Sequence, residues 1–285
     1  MPEGDATFRT ARTLNRALAG DRVVRFESVL PALTRVHEDT PITGRTVEQV
    51  EAAGKHVLMR FSGNLVLRSH MRMNGAWHVY RPGERWRRAR RDMRIVVATA
   101  RFEAVAFSVP IAEWLDARAE ARQPALRSLG PDLLGDTFDE TEAFRRVRAS
   151  GRDAIADVLL DQRVVAGIGN VYKSEVLFIC RVNPFAPVAE IAGERLLALL
   201  HTARKLLLAN VTGLGGITTY LGYRRTRGSD PAQHRYVYGR ARRPCRRCGT
   251  PILVEAQGPH ARLTYWCPAC QPADPAGITD GGSPR

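Results

Sequence analysis

Acidic residues are scarce in this chain. Only 29 Asp and Glu stand against 43 Lys and Arg, leaving a formal net charge of +14 and an isoelectric point near 10.4. Such an imbalance implies a polyanionic partner, most often nucleic acid, with an anionic membrane surface as the rival. Long apolar runs are missing, and so is the basic-then-apolar pattern of a signal peptide. The expectation is a cytoplasmic protein without a membrane partner. Aromatic residues are few, at 7%, which offers little stacking platform for single-stranded RNA. Cysteines number five, and the odd count argues against a secreted disulfide framework. Cys180 stands alone among apolar neighbours and reads as a core thiol. There is no solenoid repeat. What is present is an ordinary 44% of hydrophobic residues spread over 285 positions, enough for two domains with real cores.

The chain opens MPEGDATFRTARTLNRALAG. Termini usually fray, but this one has a helix beginning almost at once. Asp5 is a good N-cap residue; Phe8, Ala11, Leu14 and Leu18 recur at helical spacing; Gly20 stops the run. Arg9, Arg12 and Arg16 lie on the opposite side. The first residues are thereby pinned, and a pinned terminus places an amine in a fixed position.

Short Val-rich segments follow: RVVRFESV, TVEQVEAA, HVLMRFS, NLVLRSHM, AWHVYR and RIVVATA. Turn signals separate them, Ser62-Gly63-Asn64 among them, so residues 1–115 read as an antiparallel β-sandwich or barrel with a leading helix. The Arg-rich connection RPGERWRRARRD, residues 81–92, is open to two readings, a solvated loop or a DNA contact. Residues 116–137 carry Pro124, Gly130, Pro131 and Gly135 and read as a linker. Helical patterns occupy 138–235: TEAFRRVRAS, RDAIADVLLDQRVVA, NVYKSEVLFICR and AEIAGERLLALLHTARKLLLAN, then the glycine-rich stretch GLGGITTYLG. A four-cysteine element fills 236–271, and residues 272–285 read as a disordered tail. The fold class expected is α+β and multidomain.

Cys245, Cys248, Cys267 and Cys270 form C-x2-C, eighteen residues, then C-x2-C, the spacing of a zinc ribbon. Four thiolates leave no open position on a tetrahedral ion, so one structural zinc per chain is expected and a zinc hydrolase is not. Arg262 sits between the knuckles, either as a rigidly presented phosphate ligand or as one more surface arginine. In LLDQRVVAGIGNVYKSE, a helix runs into Ala-Gly-Ile-Gly-Asn and Asn170 caps a second one. A new helix N-terminus, the Asn170 amide and the Lys173 charge together suit a phosphate. A plain packed helix hairpin is the alternative.

Four segments in this order (the MPEG start, the GKHVL hairpin, LLDQRVVAGIGNVYKSE and ARLTYWCPACQ) resemble the formamidopyrimidine-DNA glycosylase/endonuclease VIII family, from Met1 to about Gln271. The resemblance implies a β-sandwich, a helix–two-turns–helix domain and a zinc finger, with damaged double-stranded DNA as partner of a monomer. It implies base-excision repair by a DNA glycosylase that is also an apurinic/apyrimidinic lyase. Carried over by position, Pro2 becomes the nucleophile once Met1 is removed, Glu3 the acid/base, and Lys55 an assisting cation. Asn170 and Arg262 hold phosphates flanking the lesion, Arg262 counting also towards catalysis, and Met73 is the wedge that fills the gap left by the flipped base. Two departures stand out. Ala6 replaces a frequent Glu, and SVPIAEWL stands where one branch has Asp-Pro-Arg-Arg-Phe. The start and the helix pair look more like endonuclease VIII, which implies oxidised pyrimidines; GLGGITTYLG looks somewhat like the other branch, which keeps oxidised purines as the alternative. A non-catalytic zinc-ribbon DNA-binding protein is the distant alternative, with no need of Pro2, Glu3 or Lys55.

Overall fold

The computed structural model describes residues 2–212, 219 and 230–273. Most of the glycine-rich stretch 213–222, and the tail from residue 274, lie outside the described residues. The chain divides into two compact units, one running to Ser128 and the other starting at Leu129. No helix among the described residues is long and apolar enough to cross a membrane.

The first unit opens on helix α1, Gly4–Leu18, and holds two four-stranded antiparallel sheets. One has the order β1 (Val23–Ser28), β6 (Met93–Thr99), β7 (Glu103–Phe107), β5 (Ala76–Tyr80); the other runs β2 (Val47–Ala53), β3 (His56–Phe61), β4 (Leu65–His70), β8 (Ile111–Asp116). Alternation along β3 and β4 sends Val57, Met59, Phe61 and Leu67 into a core shared with Val97, Ala104 and Ala106 of the other sheet and with Leu14 and Leu18 of α1. The helix is thus seated on apolar contacts and not left to propensity. Its start differs from expectation. Glu3 occupies the cap position, and Asp5 lies inside the first turn, where its charge complements the helix dipole.

The outer faces are covered as well. Leu58, Val66 and Leu115 pack under Ala119 and Leu126, which belong to helices α3 (Ala117–Arg122) and α4 (Pro124–Arg127). The stretch expected as a linker therefore carries two short helices with an apolar task. Tyr80, Met93, Val96, Val105 and Phe107 form a second small core on the other sheet, covered by Trp86. Strands β7 and β8 and helix α2 (Pro31–Asp39) went unseen in the sequence. EAVAF is buried on both faces at the centre of its sheet, so it shows no alternation to read.

The second unit holds α5 (Glu140–Ala149), α6 (Ile155–Leu160), α7 (Asn170–Ile179), α8 (Gly193–Val211) and a hairpin of β9 (Leu253–Gln257) and β10 (Arg262–Trp266). Helix α6 ends at Leu160, earlier than its apolar pattern. Asp161 Oδ1 accepts the Arg163 N–H at 2.9 Å and turns the chain. Gln162 then holds both turns before α7: its amide donates to the carbonyls of Leu160 and Ile168, each at 2.9 Å, and its Oε1 accepts the Gly167 N–H at 3.1 Å. Gly167, at φ +106°, supplies a backbone shape closed to other residues. This is a helix–two-turns–helix.

Candidate active site and metal centre

Pro2 is half-buried and Glu3 is 1% exposed, ahead of α1. The Glu3 carbonyl accepts from the Thr7 N–H at 3.0 Å and the Thr7 hydroxyl at 3.1 Å, so the residue after Pro2 is locked into the first turn. Asp5 is fully buried, with one carboxylate oxygen on Arg9 at 2.7 Å and the other without a hydrogen-bond partner among the described residues. Ala6 is half-buried in the same turn. Further along, Asn15 Oδ1 accepts the Val50 N–H at 2.7 Å and ties α1 to β2. Strand β2 leads into the Gly54–Lys55 turn, where Gly54 has φ +57° and Lys55 is half-buried.

Beside Lys55, His56 and His70 sit opposite each other on β3 and β4, with ring centroids 4.8 Å apart. Arg68 lies beneath, 6% exposed, donating to His56 Nδ1 at 2.9 Å and to Glu113 at 2.5 Å. His70 Nδ1 accepts the Arg72 N–H at 3.1 Å. Each ring nitrogen that accepts fixes the tautomer, so both histidines carry their proton on Nε2. Burial, His70 and Arg68 push His56 down to about 3; burial, Arg72, Lys55 and Arg68 push His70 down to about 4. Both rings are neutral at pH 7. Sequence reasoning missed this group, because Arg68 and Glu113 are distant in the chain and only strand pairing unites them. Met73 is 60% exposed at the tip of the β4–β5 turn. An apolar side chain held out in water at a turn is not a core residue.

In the second unit, α7 is sewn to the hairpin. Asn170 is the first helical residue and not the cap; Gly169 is the cap. Asn170 Nδ2 donates to the Leu263 carbonyl at 2.8 Å, next in the chain to Arg262, which is exposed at the start of β10. The structure thus brings Asn170 and the Arg262 backbone into one neighbourhood. Lys173 is a correction. It is 1% exposed, and its ammonium donates to Thr264 Oγ1 at 2.8 Å. A charge buried there fastens helix to hairpin and does not reach out to a phosphate. Glu175, also missed, is fully buried and accepts the backbone N–H groups of Tyr236, Val237 and Tyr238 at 2.7, 2.8 and 2.8 Å. The only sequence signal was a carboxylate two residues after Lys173, on a helix whose remaining positions are mostly apolar.

Cys245, Cys248, Cys267 and Cys270 converge, their sulfurs all within 4.8 Å of one another. Three of the separations are 3.9, 3.4 and 3.5 Å. A tetrahedral Zn–S length of about 2.3 Å calls for sulfurs about 3.8 Å apart, so the set fits one zinc ion. Burial pushes the Cys267 thiol up to about 11 and Cys270 up as well. A zinc ion binds thiolates and not thiols, so filling this site releases the cysteine protons. The site is closed and therefore structural.

The comparisons with known proteins agree with this geometry. Family models match along the chain: the formamidopyrimidine-DNA glycosylase N-terminal domain over residues 1–109, its H2TH domain over 129–221, and the zinc finger found in FPG and IleRS over 243–273. A probable endonuclease 8 2 of Streptomyces coelicolor is 43% identical over the full length of both chains. The DNA-(apurinic or apyrimidinic site) lyase Nei2 of Mycolicibacterium smegmatis is 37% identical, over 96% of this chain and 100% of its own. The solved Lactococcus lactis formamidopyrimidine-DNA glycosylase bound to DNA with an abasic site shares the fold, with a TM-score of 0.78 at 21% identity over 95% of this chain and 100% of its own. With its β domain, helix–two-turns–helix and four-cysteine finger in that order, the chain belongs to the formamidopyrimidine-DNA glycosylase/endonuclease VIII family of DNA glycosylases and apurinic/apyrimidinic lyases.

Proposed function

We propose that this protein excises oxidised pyrimidines from duplex DNA and cuts the strand by elimination through an iminium on Pro2. The observation that supports it most is the locked N-terminus: Pro2 stands directly before a buried Glu3, on a helix tied to the strand that leads to Lys55. Removal of Met1 leaves a secondary amine. An α-amino group has a pKa of about 8, and the positive end of α1 disfavours its ammonium form, so a useful fraction is neutral near pH 7. The amine attacks C1′ and the base departs. The opened sugar is left as an iminium, whose fixed positive charge acidifies the 2′ proton. β-Elimination then breaks the 3′ bond, and a second elimination can release the 5′ side. Glu3 exchanges protons with the ring oxygen and the leaving groups, and Lys55 faces the opened ring. Asn170 and Arg262 take the flanking phosphates. Zinc supplies no chemistry here beyond holding the Arg262 hairpin in shape.

Saturated pyrimidines stack poorly and are cheap to flip, so the Met73 wedge suffices for them. 8-Oxoguanine stacks well, and SVPIAEWL offers no arginine for a second wedge. Borohydride trapping on abasic DNA tests the chemistry: the adduct should map to Pro2 and vanish when an uncleaved tag blocks the terminus. The chain has three lysines, Lys55, Lys173 and Lys205, and Lys173 is buried. Undiminished trapping by the tagged protein would move the nucleophile to Lys55 or Lys205. Single-turnover rates test the lesion: thymine glycol opposite adenine should be released faster than 8-oxoguanine opposite cytosine, and the reverse order favours the purine reading.

A further inference from the structure

The arginine-rich connection between β5 and β6 is a built surface. Trp86 anchors it. The indole packs edge-on against Phe107 with centroids 5.6 Å apart, and its Nε1 donates to Glu103 at 2.6 Å. The Arg87 N–H donates to the Tyr80 hydroxyl at 3.1 Å, and Arg90 lies over the Trp86 ring while pairing with Glu27 at 3.1 Å. Arg88 reaches across to the wedge turn and donates to the Asn74 carbonyl at 3.0 Å, next to Met73. The segment is thus fastened to the sheet on one side and to the wedge turn on the other. A merely solvated loop needs none of these ties.

Fastening uses Arg88 and Arg90. It leaves Arg81, Arg85, Arg87 and Arg91 exposed, with no side-chain hydrogen bond or ion pair to an acceptor among the described residues. Four guanidiniums held out on one short rigid segment repel one another, an arrangement that an array of phosphates relieves. Their field is felt locally: burial, Arg88 and Arg87 together hold His78 below its ordinary value. On the duplex reading proposed above, the exposed Met73 is the side chain that enters a base step, and charges tied to its turn by Arg88 would then fall within reach of the phosphates beside that step.

We propose that residues 81–91 form a phosphate-binding strip, coupled through Arg88 to the Met73 turn, that grips the duplex backbone next to the base step the wedge enters. The proposal rests on the duplex-DNA reading above and adds a contact surface on the first unit to those of Asn170 and Arg262 on the second. Each phosphate contact contributes about 0.9 to the slope of log affinity against log salt.

The test is the full-length zinc-loaded protein carrying Arg85→Ser, Arg87→Ser and Arg91→Ser, titrated with a duplex holding a stable abasic-site analogue. Affinity near 0.15 M salt should fall about 10- to 100-fold, and the salt slope by about 3. A control carrying Arg118→Ser, Arg122→Ser and Arg127→Ser removes the same charge from exposed positions on and after α3 of the same unit and should lose much less. Equal losses in the two triples would show that DNA senses bulk charge, and an unchanged slope in the loop triple would show a solvated loop; either overturns the proposal. So would intact duplex binding with lost binding to phosphatidylserine vesicles, which would assign the strip to a lipid surface. Borohydride trapping by the parent protein checks the chemistry separately from the binding comparison. Failure of the parent to trap would sink the proposed chemistry and leave the binding comparison standing.

Discussion

Glu175 shows how one side chain organises a domain. Its carboxylate is fully buried and is held by three successive backbone N–H groups, Tyr236 to Tyr238, just ahead of the first zinc knuckle, and by the Thr219 hydroxyl. Charge-assisted bonds of this kind are the strong ones. Glu175→Gln turns one oxygen into a donor facing donors. It should destabilise the protein by about 2–3 kcal/mol, read as a drop of about 5–10 °C in Tm; a shift below about 1 °C would show that the chain at 236–238 holds itself. Arg262 is the opposite case, exposed at the head of β10 and absent from the packing that holds the finger. Arg262→Ala should keep the full zinc content by metal analysis and weaken duplex binding about 10-fold or more, as expected for the loss of one well-placed guanidinium.

At the scale of elements, the β3–β4 pair carries a pH dependence. His56 and His70 face each other, with Arg68 and Glu113 beneath and Lys55 and Arg72 beside them. Their folded values, about 3 and about 4, lie below the ordinary 6.5. Between those limits the unfolded chain binds more protons than the folded one. Stability is therefore whole above about pH 6.5 and falls as the pH drops towards 4. Thermal denaturation from pH 7 to 4 should show a falling Tm. The double variant His56→Gln, His70→Asn should flatten that slope; an unaltered slope would assign it to carboxylates elsewhere. The hairpin tip is a second element-level device. Gly258 has φ +69° and lies so close to Asp157 of α6 that a Cβ would collide with the carboxylate. The hairpin thus docks on α6 as well as on α7.

At the scale of the molecule, zinc and folding are one equilibrium for the C-terminal element. Its strands are exposed along most of their length, and Cys245 and Cys267 are buried with Phe178, Val237 and Ile252 in a cluster too small to hold a fold by hydrophobic burial. Cys267→Ser, or zinc removal by a chelator, should unfold the hairpin and take with it the seat of Arg262. Duplex binding should fall at least as far as in Arg262→Ala, with zinc content below one per chain. Full zinc occupancy in Cys267→Ser would show that the fourth thiolate is dispensable.

Much of this protein was legible before any coordinates. The net charge named a polyanionic partner, the cysteine spacing named the metal, and helical and alternating patterns located α1, most of the described strands and the four α-helices among the described residues of the second unit. Such signals are local, because periodicity and ligand spacing are properties of neighbours in the chain. What failed was of another kind. Lys173 looked like a phosphate ligand by its place after a helix N-terminus, and only packing against Thr264 turned it inward. β7 was invisible because burial on both faces erases alternation. The Arg68–His56–Glu113 group, the Glu175 clamp and the Arg88 tie to the Met73 turn join residues far apart in sequence, and no local pattern records them. The sequence by itself determined the parts, the metal and the family; the tertiary structure decided which charges face inward as struts and which stay exposed at the surface, because burial depends on what the rest of the chain brings alongside.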